Sequence, residues 1–268
     1  SETICSDVGA VTFIATSGTA TSWLWSDNGT ETANTTTGGT SGDYTVVVTD
    51  ANTCTNTATG TLIVNTIPTV SVNNETICSD ASAVAFNATS ATATNYVWSD
   101  NGSGTAQSTS GNLAGDYTVV VTDANSCTNT AKGTLTVNTI PAVSVNSETI
   151  CSDASAVTFT ATSATATDYL WSDNGAGTAA TTNGITSGAY TVVVTDANAC
   201  TNRVTGTLTV NVVPTVTVNS ETICSDASAV TFTATSATAT DYLWSDNGTG
   251  TASITSGTTA GNYTVVVT

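Results

Sequence analysis

The sequence predicts an all-β fold of tandem Greek-key β-sandwich repeats with a 73-residue period. Three observations carry that prediction. Cys5, Cys78, Cys151 and Cys224 stand 73 residues apart, and so do Cys54, Cys127 and Cys200. The words ETICSD, WSDNG, YTVVVT and TLxVN recur in that order, and residues 147–175 and 220–248 are identical over 29 positions. Apolar residues alternate with period two in short runs bounded by Gly, Asn, Asp and Ser, and no segment shows a helical period. The expected boundaries are 1–65 for a first repeat lacking its first strand, 66–138, 139–211, and 212–268 for a fourth truncated before its last strand.

The third repeat shows how each element is justified. Residues 141–146 alternate and open on Pro141, which suits a strand start or a sheet edge because proline donates no hydrogen bond. Residues 147–156 read as a polar loop carrying Cys151. Residues 157–162 (VTFTAT) alternate cleanly and predict a strand. Residues 168–172 predict another, closed by Asp173-Asn174-Gly175, a hairpin signal because Asn and Gly tolerate positive φ. A Gly/Thr-rich stretch with weak strands follows, then a strand at 189–196, a turn ending at Cys200, and a last strand at 205–211. About seven short strands in one period make a small Greek-key sandwich. Its predicted inward face is Val157, Phe159, Ala161, Trp171, Tyr190, Val192, Val194, Leu208 and Val210. That is a thin core, so a covalent staple is expected.

Composition narrows the function. With 2 basic residues against 20 acidic ones, the net charge is −18, which excludes nucleic acid and anionic membrane surfaces as partners. Charged residues are only 8% of the chain, too few for a disordered acidic tail. No run of about 18 apolar residues is present, so membrane insertion through a helix is not expected. The chain has no His, hence no Ser-His-Asp or Cys-His pair, and its carboxylates recur in every repeat, unlike an active site; an enzyme is not expected.

The run Y-x-W-S-D-N-G, followed by G-x-Y-T-V-V-V-T-D-A-N-x-C and T-L-T-V, resembles the PKD-like and Ig-like repeats of very long Bacteroidota cell-surface proteins of the gliding-motility-adhesin type. Tyr169, Trp171, Gly175, Tyr190, Val192, Asp196 and Cys200 carry the match, which recurs in each repeat and covers essentially the whole chain. WSDNG stands where PKD domains usually carry a longer acidic-Gly loop. The resemblance implies an Ig-like sandwich in an exported stalk or filament, with binding delegated to a tip domain. The expected place is extracellular, at the cell surface, and the export signal is expected outside this stretch. The expected partners are neighbouring repeats of the same long chain and other copies in a filament.

Two cysteine pairings are open. Within each repeat, Cys5 would bond Cys54, Cys78 would bond Cys127 and Cys151 would bond Cys200, each closing a loop of about 50 residues that stabilises by roughly 4 kcal/mol. In an Ig-like topology, however, the two cysteines of one repeat sit at opposite poles, about 20 Å apart along seven-residue strands. Disulfide Cα atoms sit about 4.4–6.8 Å apart. Strand order therefore slightly favours a staple across the junction, Cys5 with Cys127 and Cys78 with Cys200, leaving Cys54, Cys151 and Cys224 to reach repeats beyond this stretch. Either pairing implies an oxidising compartment.

The recurring carboxylates, such as Glu148, Asp153, Asp173 and Asp196, fit turn chemistry and solubility. A second reading is Ca2+ at domain junctions, where Glu2, Asp7 and Asp27 would approach Asp123 of the following repeat. No other cofactor is expected. Thr on outer strand faces is ordinary β-propensity. Lys132 and Arg203 are the only basic residues and neither has a basic counterpart, so Lys–Asn isopeptide staples are not a general device. The expected function is a disulfide-stapled spacer rod in a secreted stalk or filament. The alternative is a carbohydrate- or surface-binding adhesin module repeated for avidity.

Overall fold

The computed structural model describes residues 1–246 and 248–268, and every regular element among them is a β-strand. The chain divides into two compact units, Ser1–Ile140 and Pro141–Thr268. In the first unit, repeat 1 contains β1 (Glu2–Cys5), β2 (Val11–Ile14), β3 (Ala20–Asp27), β4 (Thr35–Gly38), β5 (Gly42–Asp50) and β6 (Thr55–Asn65). They form one sheet in the order β1-β6-β5-β3 and a second, β2-β4. Repeat 2 contains β7 (Ser71–Val72), β8 (Glu75–Cys78), β9 (Val84–Thr89), β10 (Ala93–Asp100), β11 (Ser108–Gly111), β12 (Gly115–Asp123) and β13 (Thr128–Asn138). Its sheets are β10-β12-β13-β8 and β11-β9-β7.

In the second unit, repeat 3 contains β14 (Ser144–Val145), β15 (Glu148–Cys151), β16 (Val157–Thr162), β17 (Ala166–Asp173), β18 (Thr181–Gly184), β19 (Gly188–Asp196) and β20 (Thr201–Asn211). Its sheets, β15-β20-β19-β17 and β14-β16-β18, repeat the order seen in repeat 2. Repeat 4 contains β21 (Thr217–Val218), β22 (Val230–Thr235), β23 (Tyr242–Asp246), β24 (Ile254–Gly257) and β25 (Tyr263–Val267). It forms β21-β22-β24 and β23-β25. Two facing sheets per repeat, with mostly antiparallel pairing and crossing connections, make the fold an Ig-like Greek-key sandwich.

Alternation places the core. In repeat 3, Phe159, Ala161, Trp171, Tyr190, Val192, Val194 and Leu208 form one buried cluster, with Val157 and Val210 packed at its margin. Tyr190 lies stacked on Phe159 across the two sheets at a centroid distance of 4.2 Å. Its hydroxyl donates to the carbonyl of Thr186 at 3.0 Å, and the indole of Trp171 donates to the carbonyl of Ala179 at 2.8 Å. Both aromatic residues thus bury large surface with their one polar group satisfied.

Two expectations are corrected. Residues 147–156 are not all loop, because Glu148–Cys151 forms β15, which runs parallel to β20 with Ile150 opposite Val210 and Cys151 opposite Asn211. Its local sequence carries little alternation, and its partner lies about 60 residues further along the chain. Nor does Asp173-Asn174-Gly175 open a hairpin between neighbouring strands. The turn forms, with Asp173 at φ 60° and Gly175 N–H donating to the Ser172 carbonyl, but only Trp171 and Gly177 bridge across it. The chain then crosses to β18 in the opposite sheet, while β17 pairs with β19. The counterpart Asn247 lies outside the described residues.

Repeats 1 and 4 show what neighbouring strands contribute. The ETIC of repeat 4 is identical to that of repeat 3, yet Glu221–Cys224 is not a strand. Among the described residues no strand pairs with these four. In repeat 1 the sheet β2-β4 has, among the described residues, no third strand such as β7 gives to β11-β9-β7. Phe13 is correspondingly 8% exposed where Phe86 is 0%, and a groove lined by Phe13, Tyr44 and Gly60 opens there.

Candidate functional site

The feature that distinguishes this chain from a string of separate sandwiches is the junction between repeats 1 and 2, inside the first unit. On the repeat 2 side, the turn between β12 and β13 is held by Asp123. Its Oδ1 accepts from the backbone N–H of Asn125 and of Cys127, both at 2.9 Å, and its own N–H donates to the Cys127 carbonyl at 2.9 Å. Ser126 completes the turn with φ at 64°. This Asx-type turn fixes Cys127 at the mouth of β13, where it is fully buried.

On the repeat 1 side, Cys5 ends β1 beside Asn65, the last residue of β6. Ser6 N–H donates to the Asn65 carbonyl at 2.8 Å, so the loop carrying Cys5 is tied to the strand that leads into the linker. Cys5 and Cys127 are joined by a disulfide with Cα atoms 5.6 Å apart. The linker is gripped from both repeats. Ser6 Oγ accepts from Ile67 N–H at 3.2 Å, and Asn129 Nδ2 donates to the Pro68 carbonyl at 2.8 Å.

The linker contacts recur at equivalent positions. Ile140 N–H donates to Ser79 Oγ at 3.2 Å in the first unit. In the second, Asn202 Nδ2 donates to the Pro141 carbonyl at 2.9 Å and Val213 N–H donates to Ser152 Oγ at 3.1 Å. Sequence reasoning singled out the cysteines but not these Ser and Asn side chains. Their signal was the invariance of Ser6, Ser79 and Ser152, and of Asn129 and Asn202, from one repeat to the next.

Cys54, in the turn before β6, and Cys151, at the end of β15, are exposed free thiols, as is Cys224. Cys78 ends β8, and Cys200 is buried just before β20. The intra-repeat alternative is not formed at Cys5, whose sulfur is bonded to Cys127 and not to Cys54, nor at Cys151, whose thiol is free. The physical reason is polarity. Cys5 aligns with the end of β6, whereas Cys54 lies before its start, a strand of 11 residues away.

The four carboxylates proposed for calcium do not converge. Glu2 is on β1 and Asp27 on β3, the two edges of one four-stranded sheet and so about 14 Å apart. Calcium holds its oxygens about 2.3–2.6 Å from the ion, which needs ligands within about 5 Å of one another. Asp7 is exposed, and Asp123 Oδ1 is committed to its turn. Among the described residues no group of three or more His, Cys, Asp or Glu could hold a metal ion. An exposed carboxylate elsewhere makes an ion pair: Lys132 Nζ lies 2.7 Å from Asp116 Oδ2. That hydrogen bond, with a second from Thr134, holds Asp116 below the ordinary carboxylate range.

No protein-family model matches the chain, and no curated protein matches it in sequence. Several solved structures are similar to it. One is described as a Ca2+-stabilized adhesin that helps an Antarctic bacterium reach out and bind ice: 22% identity, 95% of this chain and 87% of that chain covered, TM-score 0.36. Another is the I-band fragment I67–I69 from titin, with 14% identity, 79% and 95% covered, and a TM-score of 0.36. A third is extracellular domains 3–5 of Drosophila OTK, with 12% identity, 78% and 94% covered, and a TM-score of 0.36.

Proposed function

We propose that this chain is a non-catalytic spacer segment of a secreted stalk or filament, in which disulfides between successive sandwiches turn a flexible string of domains into a rod. The observation that carries this reading is the Cys5–Cys127 bond, which links the loop beside the last strand of repeat 1 to the turn before the last strand of repeat 2. An intra-repeat bond would stabilise one sandwich and leave the junction free. A bond between repeats removes the freedom of the linker itself.

Near-identity of the repeats extends the rule. Cys78 bonds Cys200, and Cys54, Cys151 and Cys224 pair with cysteines outside residues 1–268, with domain boundaries at 1–65, 66–138, 139–211 and 212–268. Such bonds need an oxidising compartment, which agrees with the resemblance to exported Bacteroidota repeats. The recurring carboxylates shape turns and charge the surface rather than hold Ca2+. Mapping by mass spectrometry under non-reducing conditions, after digestion at acidic residues, tests the reading. Linked peptides containing Cys5 with Cys127 and Cys78 with Cys200 are expected; a Cys5–Cys54 peptide would overturn it.

A further inference from the structure

The geometry of the first unit points to a second role for the junction bond: we propose that it takes tension off the sandwich cores and makes the oxidised chain nearly inextensible. The proposal rests on the junction pairing described above. Cys5 and Cys127 are 122 residues apart along the chain, but their Cα atoms are 5.6 Å apart. A pull arriving through β1 therefore crosses the two sulfurs and enters β13 directly. The strands from β2 through β12 lie inside the loop that this bond closes, off the direct path from β1 to β13.

What remains on the load path has almost no slack. After Cys127 come the 11 extended residues of β13. The equivalent stretch from Cys54 to Cys78 shows the whole path across a junction: β6, the linker, β7 and β8. Strands already rise about 3.3–3.4 Å per residue, against a maximum of about 3.3–3.6 Å. The linker between them cannot straighten independently, because Ser6 and Asn129 hold Ile67 and Pro68 from the two sides. Pulling can thus gain little length, whereas the loop shielded by the bond would add about 400 Å if it were released.

A second consequence follows from the same closure. Any single backbone cut between Cys5 and Cys127 leaves the two pieces covalently joined. The device suits a fibre that must hold its load when its exposed turns are nicked.

Single-molecule stretching of the 268-residue chain through handles at its two ends tests the proposal. In oxidising buffer, the chain carrying Cys200→Ser, which leaves Cys5–Cys127 as the junction bond, is expected to give no lengthening steps from repeats 1 and 2. Addition of a thiol reductant should restore two steps of about 200 Å, one per repeat. Adding Cys127→Ser to that chain should restore the same two steps without reductant. Repeat-sized steps in the oxidised Cys200→Ser chain, in a sample whose mapped peptides show Cys5 bonded to Cys127, would overturn the load path alone. If mapping instead finds Cys5 bonded elsewhere, it is the junction pairing that fails.

Discussion

Tyr190 is held at three points at once. Its ring stacks on Phe159, its hydroxyl bonds the carbonyl of Thr186 four residues earlier, and Gly184 lies against its ring. A Cβ placed on Gly184 would fall 2.3 Å from the ring, so the glycine is there for close approach. Tyr190→Phe is expected to cost about 1 kcal/mol, the net value of one hydrogen bond. Gly184→Ala should cost more, roughly 1–3 kcal/mol, because it must displace the ring that anchors both sheets. Urea denaturation of the two variants checks the order, and a Gly184→Ala protein as stable as wild type would remove the close-approach argument. At the surface, the Lys132–Asp116 pair behaves differently. Asp116 is held below its ordinary pKa, so its contribution is present above about pH 4 and is lost as pH falls through the lowered value. Lys132 is raised by the same contact, so the alkaline limit lies above about pH 10. The difference in Tm between wild type and Lys132→Ala should therefore be small at neutral pH, vanish in strong acid, and shrink with salt.

At the level of elements, the clearest case is a strand that exists only through its partner. Glu148–Cys151 is a strand because β20 offers a parallel edge; the identical Glu221–Cys224 has no such edge and is not one. The short strands opposite obey a related rule. A Cβ on Gly206 would fall 2.2 Å from the carbonyl oxygen of Asn146, and one on Gly133 would fall 2.0 Å from that of Asn73. On Gly60, where no such strand is present, it would meet only the Phe13 ring at 3.0 Å. Gly206→Ala and Gly133→Ala are thus expected to cost roughly 1–3 kcal/mol by forcing the first strand of the repeat away. Gly60→Ala should cost distinctly less, and equal losses at all three sites in thermal unfolding would contradict this account. These cases also mark how far the sequence could be read. VTFTAT announces its own pairing face, because alternation is a property of six adjacent residues. ETIC does not, because what makes it a strand lies elsewhere in the chain. The junction bond was one of two pairings the sequence left open, slightly favoured by strand order, whereas the roles of Ser6 and Asn129 depend on where the linker runs. Glu2 and Asp27 share a pole but not a site, because the width of the sheet separates β1 from β3.

Charge is a property of the whole molecule. With 20 acidic residues against 2 basic ones, nearly every electrostatic contact between repeats and within them is repulsive. Two exposed ion pairs, Lys132–Asp116 and Arg203–Asp173, are far too few to balance that field. Added salt should therefore stabilise the chain by screening repulsion, raising Tm as the Debye length falls from about 10 Å at 0.1 M toward about 3 Å at 1 M. A protein held by surface salt bridges would show the opposite trend. The same measurement separates general screening from a built calcium site. Because the acidic side chains are dispersed over turns and opposite sheet edges, Ca2+ and Mg2+ at matched ionic strength should raise Tm equally, and a chelator should act only through the ionic strength it changes. A further rise specific to millimolar Ca2+, kept when Mg2+ replaces the remaining salt, would show that carboxylates from successive repeats do converge on an ion. Calorimetry of the oxidised chain across a salt series, with and without each cation, decides between the two.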